Sequence, residues 1–135
     1  MKPSRGGARR PVVYGVALAV VVGCGLCCRA AWLGLSPFFA KYLGDALWAL
    51  MIFLVLALFL NTGRTAVIAS LAALFCLIVE CSQLYQAPWL DALRATRLGQ
   101  LALGAYFAWG DLLAYILGIA VGAAAESLCS PRLSL

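Results

Sequence analysis

Glu80 stands where a carboxylate is least expected. The stretch Val79–Gln86, VECSQLYQ, follows the apolar run AVIASLAALFCLI, and Gln83 comes one helical turn after Glu80. Ionisable residues in such places usually face a partner or a polar cavity. A carboxylate there can act as a general acid or base, or form half of an ion pair. Arg94 and Arg97, spaced i, i+3 in the connector that follows, supply cations. They can partner Glu80, clamp an anionic ligand electrostatically, or touch lipid headgroup phosphates. Asp45 and Asp111 stand in similar stretches, Gly44-Asp45-Ala46-Leu47 and Gly110-Asp111-Leu112-Leu113. Asp is a good N-cap and favours a helix N-terminus, so these stretches read as shared capping chemistry. The candidate cluster is therefore Asp45, Glu80, Gln83, Arg94, Arg97 and Asp111. Glu80 is expected to turn inward, within hydrogen-bonding or one-water reach of Arg94 or Arg97.

Other chemistries have less to build on. The chain has no histidine, and its carboxylates are scattered, so no metal site is expected and no cofactor is implied. No Ser-His or Cys-His pair, phosphate loop or acid pair of recognised spacing is present. The six cysteines include Cys24-Gly25-Leu26-Cys27-Cys28, a C-x-x-C spacing. It lies inside an apolar run, where cysteine serves as a small packing residue, and that reading is preferred to redox chemistry.

The elements that carry these residues follow from composition. Of 135 residues, 65% are hydrophobic and 11% charged, with a mean hydropathy of +1.01. Soluble domains are about half apolar and about a quarter charged. A soluble fold of this size could not hide so much apolar surface, but a bilayer accepts it. The net charge of +5 does not point to nucleic acid. Lys2, Arg5, Arg9 and Arg10 cluster in a tail beside an apolar run, which is an orientation signal.

Four apolar runs span roughly Pro11–Leu33, Asp45–Leu60, Thr65–Tyr85 and Asp111–Leu128. Gly34, Ser36-Pro37, Asn61-Thr62-Gly63 and Ala87-Pro88 punctuate the connectors. A crossing takes about 20 residues, which the last three runs approach only if Asp45, Glu80 and Asp111 are included. The expected fold is an all-α membrane protein, a four-helix transmembrane bundle with a short interfacial helix between the third and fourth spans. Residues 1–10 form a basic cytoplasmic tail, 11–128 the membrane domain and 129–135 a second cytoplasmic tail. Both termini are expected inside, with Asp45, Glu80 and Asp111 on the outer side together with Arg29, Lys41, Arg94 and Arg97. Arg64, Glu126 and Arg132 fall inside. Away from their ends, the inner halves of the spans show no polar residue beyond Tyr14 and Ser70. Cleavage of the first run at Val21-Val22-Gly23-Cys24, a loose lipoprotein-like box, is the alternative to its retention.

The interfacial helix is read in Pro88–Gly99, PWLDALRATRLG, with Pro in the first turn and Gly99 at the C-cap. Trp89, Tyr106, Phe107 and Trp109 suit an aromatic belt. Gln100–Trp109 is too short to span and could form a re-entrant piece. On the third run Cys76, Glu80 and Gln83 share a face. On the fourth, Asp111, Tyr115, Gly118 and Gly122 do so, and Gly118-x-x-x-Gly122 permits close helix approach.

YLGDALWALM (Tyr42–Met51) and ECSQLYQAPWLDALRATRLGQLALGAYFAWGDLLAY (Glu80–Tyr115) resemble a small bacterial family of integral membrane proteins catalogued only as a domain of unknown function. More distantly, Glu80-x-x-Gln83, an arginine in the connector and Asp111 with Gly118 and Gly122 are similar to the VanZ-like family, whose name comes from lipoglycopeptide resistance. The VanZ-like pattern has Asn where this chain has Tyr115. The resemblance implies four helices, a bacterial inner-membrane location and an outward polar cluster of Glu80, Gln83, Arg97 and Asp111. It favours Arg97 as the partner of Glu80 and implies no established reaction.

Two classes of function follow. The favoured one is a non-enzymatic membrane protein whose outer polar cluster holds the bundle or binds a lipid headgroup, an envelope precursor or a partner membrane protein. The alternative is an enzyme or small transporter acting on an anionic lipid-linked substrate at the outer leaflet, with Glu80 as acid or base. A transport path would need polar residues deep in the bundle.

Overall fold

A computed structural model describes residues 9–30, 34–60, 64–103 and 108–129. Among them the chain forms only helices and connectors. The helices are α1 (Pro11–Cys28), α2 (Pro37–Phe59), α3 (Thr65–Ser82), α4 (Pro88–Ala95), α5 (Arg97–Leu103) and α6 (Trp109–Cys129). Four of these, α1, α2, α3 and α6, are long and apolar enough to cross a membrane. The protein is a multi-pass, all-α membrane bundle.

Proline marks the start of α1, α2 and α4, where its missing N–H has no helical partner to lose. This corrects the start of the second span. The helix begins at Pro37, with Ser36 as N-cap accepting the Phe39 N–H at 3.4 Å, so Asp45 lies two turns inside α2 and caps nothing. Asp111 likewise falls inside the first turn of α6. The first and third spans end sooner than their apolar runs, at Cys28 and Ser82.

α2 is the central helix. It packs against α1, α3 and α6, and α3 also packs against α6. Ala49, Phe53 and Ala57 of α2, Ile68, Ala72 and Cys76 of α3, and Tyr115 and Ile119 of α6 form the core. The i, i+4 spacing within each set draws one stripe down each helix. Glu80 continues the α3 stripe, which is why it points inward rather than at lipid. The α6 stripe contains the glycines expected to let helices approach. A Cβ on Gly118 would lie 2.0 Å from the Ala46 carbonyl oxygen, and one on Gly122 would lie 2.8 Å from the Phe53 ring. Between apolar helices in a bilayer, such close packing supplies much of the attraction. α1 contributes no fully buried residue. It lies along α2 as an outer member, with Tyr14, Ala17, Leu18 and Val21 against the core.

The connector after α3 departs from the expected single helix. It holds two, α4 and α5, broken at Thr96, whose backbone is extended at φ −75° and ψ 153°. The Thr96 hydroxyl donates to the Leu93 carbonyl at 2.7 Å and accepts the Gly99 N–H at 3.0 Å, ending one helix and starting the next. Gly99 is not a C-cap. A Cβ there would lie 1.7 Å from the Leu93 carbonyl oxygen, so glycine permits α5 to fold back against the end of α4. The Gln100–Trp109 piece begins as the end of α5, and its residues 104–107, with the belt residues Tyr106 and Phe107, lie outside the described residues, as do Asn61-Thr62-Gly63, Arg132 and the first eight positions.

Candidate functional site

Glu80 is completely buried. Its Oε1 accepts the Ala108 N–H at 2.9 Å, and its Oε2 accepts the Tyr115 hydroxyl at 3.0 Å. The expected arginine does not reach it. The reason is geometric: Ala108 immediately precedes α6, so the carboxylate meets the positive end of that helix, and Tyr115 comes up from within α6. The Tyr115 ring is held in turn by Trp48, at 5.5 Å between centroids. One neutral donor from a side chain and one from the backbone therefore replace the cation.

The arginines act elsewhere. Arg94 is buried and turns back onto the end of α3, donating to the carbonyls of Ser82 at 2.5 Å and Tyr85 at 3.0 Å and to Asp91 at 3.3 Å. The Ser82 carbonyl also accepts the Tyr85 N–H at 3.1 Å in the turn that follows α3, and a cation at a helix C-terminus is favoured by the helix dipole. Arg97 is exposed. Gln83, at the C-cap of α3, is buried.

Asp45 and Asp111 do come together, through a residue not placed in the candidate cluster. Lys41 donates to Asp111 and lies 3.4 Å from Asp45, while Arg29 reaches Asp45 at 3.7 Å. The lysine is half exposed, whereas the Asp111 side chain is 7% exposed. The Gly-Asp stretches thus share a function other than capping. Gly44 clears space for Arg29, whose Nε would lie 3.1 Å from an added Cβ. Gly110 clears space for Tyr42, whose hydroxyl would lie 2.7 Å away. Each adjoining aspartate then meets Lys41.

A family model described as a protein of unknown function (DUF2809) matches residues 35–119, more than half of the chain. The chain belongs to the DUF2809 family. The match takes in Lys41, Asp45, Glu80, Arg94, Asp111 and Tyr115 and leaves α1 and the last turns of α6 outside. No solved structure matches this DUF2809 chain.

The opposite end of the DUF2809 bundle holds a second cluster that the sequence did not reveal. The Arg9 Nε and Nη2 donate to Glu126 at 2.9 and 2.6 Å, a two-pronged pair whose side chains are 1% and 2% exposed. Tyr14 and Thr65 donate to the same carboxylate at 2.5 and 2.6 Å, and Arg9 Nη1 donates to the Leu60 carbonyl at 3.1 Å. Hydrogen bonding to Glu126 raises the Arg9 pKa further above its ordinary value, against the opposing effect of burial. The start of α1, the end of α2, the start of α3 and the end of α6 meet here. Arg9 reads in the sequence as part of an orientation signal, and only its place two residues before the Pro11 helix start hints at more. Ser70 simply donates to the Ala66 carbonyl of its own helix.

The cysteines differ from the packing expectation. Of Cys24, Cys27, Cys28, Cys76, Cys81 and Cys129, Cys76 alone is buried, and Cys24, Cys27, Cys81 and Cys129 are exposed. None of these six is in a disulfide. α1 is peripheral, so most of its surface, including two of its cysteines, faces outward.

Proposed function

We propose that this protein acts by binding rather than by catalysis, as a multi-pass protein of a bacterial inner membrane. Both termini are cytoplasmic and the Lys41 cluster faces outward in this proposal, following the basic tail. Its ligands are lipid headgroups, an envelope precursor or a partner membrane protein, met by the exposed parts of Lys41, Arg29 and Arg97. A VanZ-like relationship is a proposal of the same kind, resting on Glu80, Gln83, Asp111 and Arg97.

One observation carries the choice between binding and catalysis. Glu80 is fully buried, and each of its oxygens accepts a donor of the bundle, the Ala108 N–H and the Tyr115 hydroxyl. A general acid or base must reach the proton it moves, within about 3 Å or through one water. Glu80 serves the bundle instead. The test compares the lipids and envelope precursors of cells with the protein, without it, and with Glu80→Gln. The expected result is that no precursor accumulates and no lipid species disappears. A product lost both on deletion and with a normally folded Glu80→Gln protein would establish the enzyme alternative and overturn this reading.

A further inference from the structure

α1 packs along α2, and a groove of about 670 Å³ opens between α1 and α6. Leu50, Phe53 and Leu54 of α2 form its floor. Val13, Ala17 and Val21 wall one side, and Val121 and Ala125 the other. The volume lies within the range of about 300–1,000 Å³ usual for ligand sites. One end differs from the rest in chemistry, because Arg9, Arg10 and Glu126 also line it.

We propose that this groove binds one anionic glycerophospholipid, with an acyl chain along the floor and the phosphate at Arg10. Three features select that occupant. The first is length: from Arg10 to Val21 α1 rises about 16 Å, close to the half-thickness of a hydrocarbon core of about 30 Å. The groove therefore matches one leaflet, with its basic end at the headgroup level. The second is charge. Arg9 is neutralised by Glu126, whose oxygens also accept from Tyr14 and Thr65. Arg10 is exposed beside them, so among the described residues it leaves one positive charge at the mouth. The third is the apolar lining of the rest of the groove, which suits an acyl chain. The site lies at the opposite end from the Lys41 cluster and stands independently of the binding reading above.

The test is native mass spectrometry of the full chain in mild detergent, given equal amounts of phosphatidylglycerol and phosphatidylcholine. One phosphatidylglycerol should be retained per chain in preference to phosphatidylcholine. Arg10→Gln should reduce that preference about five-fold, the effect of one basic residue at an anionic surface. Arg10 is exposed, so this variant should fold as the parent does. Ala125→Trp should fill the groove and reduce retention of both lipids. Equal retention of the two lipids by the parent protein would overturn the proposal. So would an unchanged preference in Arg10→Gln, full retention in a folded Ala125→Trp protein, or a second copy of the chain covering the groove.

Discussion

The two ends of the bundle solve the same problem differently. At one end, Arg9 and Glu126 form a two-pronged pair with both side chains almost fully hidden, and Tyr14, Thr65 and the Leu60 carbonyl complete it. At the other, a half-exposed Lys41 is shared by Asp45 and Asp111, Arg29 stands at the edge, and Glu80 is held apart by neutral donors. The first arrangement is closed and joins four helices. The second is open toward the surface and divides its charges between two neighbouring sets. Burial decides what each charge is worth. A pair removed from water becomes indispensable once formed, because losing one member strands the other. A pair near the surface is screened and exchangeable. The closed end should therefore govern stability, and the open end should tolerate change.

The largest effect is expected at the closed end. Glu126→Ala should destabilise the protein by about 3–5 kcal/mol, the usual result of stranding one charge of a buried pair. Its apparent melting temperature in detergent, read from the monodisperse fraction surviving heating, should fall further than that of any other single variant considered. Arg9→Met with Glu126→Leu should regain much of the loss, since no charge is then left alone. A stable Glu126→Ala protein would remove the contrast between the ends.

Glu80→Ala comes next, at about 1–3 kcal/mol, because the Tyr115 hydroxyl and the Ala108 N–H lose their buried acceptor. Tyr115→Phe removes one bond and should cost about 0.6 kcal/mol, the average for polar contacts between membrane helices. The same heating assay ranks them. A Tyr115→Phe loss as large as that of Glu80→Ala would mean that the Ala108 contact contributes nothing.

Lys41→Ala should cost about 1 kcal/mol, since the lysine is half exposed but leaves two aspartates facing each other. Adding Asp45→Asn should restore part of that, whereas Asp45→Asn in the parent background should not stabilise. If the double variant is no better than Lys41→Ala, the aspartates do not sense each other and Lys41 is not a hub.

Much of the fold was legible because it depends on apolar length and i, i+4 stripes. Ile68, Ala72 and Cys76 lead directly to an inward Glu80, and Gly118 and Gly122 announce a close helix contact. What could not be read were partners. Opposite charges invite pairing on paper, so Glu80 suggested an arginine, but a backbone N–H and a phenol carry no sign of charge to search for. Gly44-Asp45 imitated a helix start, while the true cap, Ser36-Pro37, passed as punctuation. Arg9 and Glu126 lie 117 residues apart, and Arg9 sat in a tail already explained by orientation. A local reason for a residue hides a distant one.

The smallest effect is expected at Arg97, and it isolates the lesson about partners. Arg97 is exposed and begins α5, whereas Arg94, three residues earlier, is buried against the carbonyls that end α3. The two differ little in sequence context, both being arginines on the polar side of one short connector. Thr96 separates them: the chain turns extended there, so the second arginine leaves the face that the first occupies. A basic residue at a helix start also gains nothing from the helix dipole. Arg97→Ala should therefore change stability by no more than about 0.5 kcal/mol, as for ordinary surface positions. Arg94→Ala should cost more, since it removes a buried side chain and takes a donor from the Ser82 and Tyr85 carbonyls. Measured side by side in the heating assay, equal losses would show that burial does not separate them. A large loss at Arg97 alone would restore it as the charge that Glu80 needs.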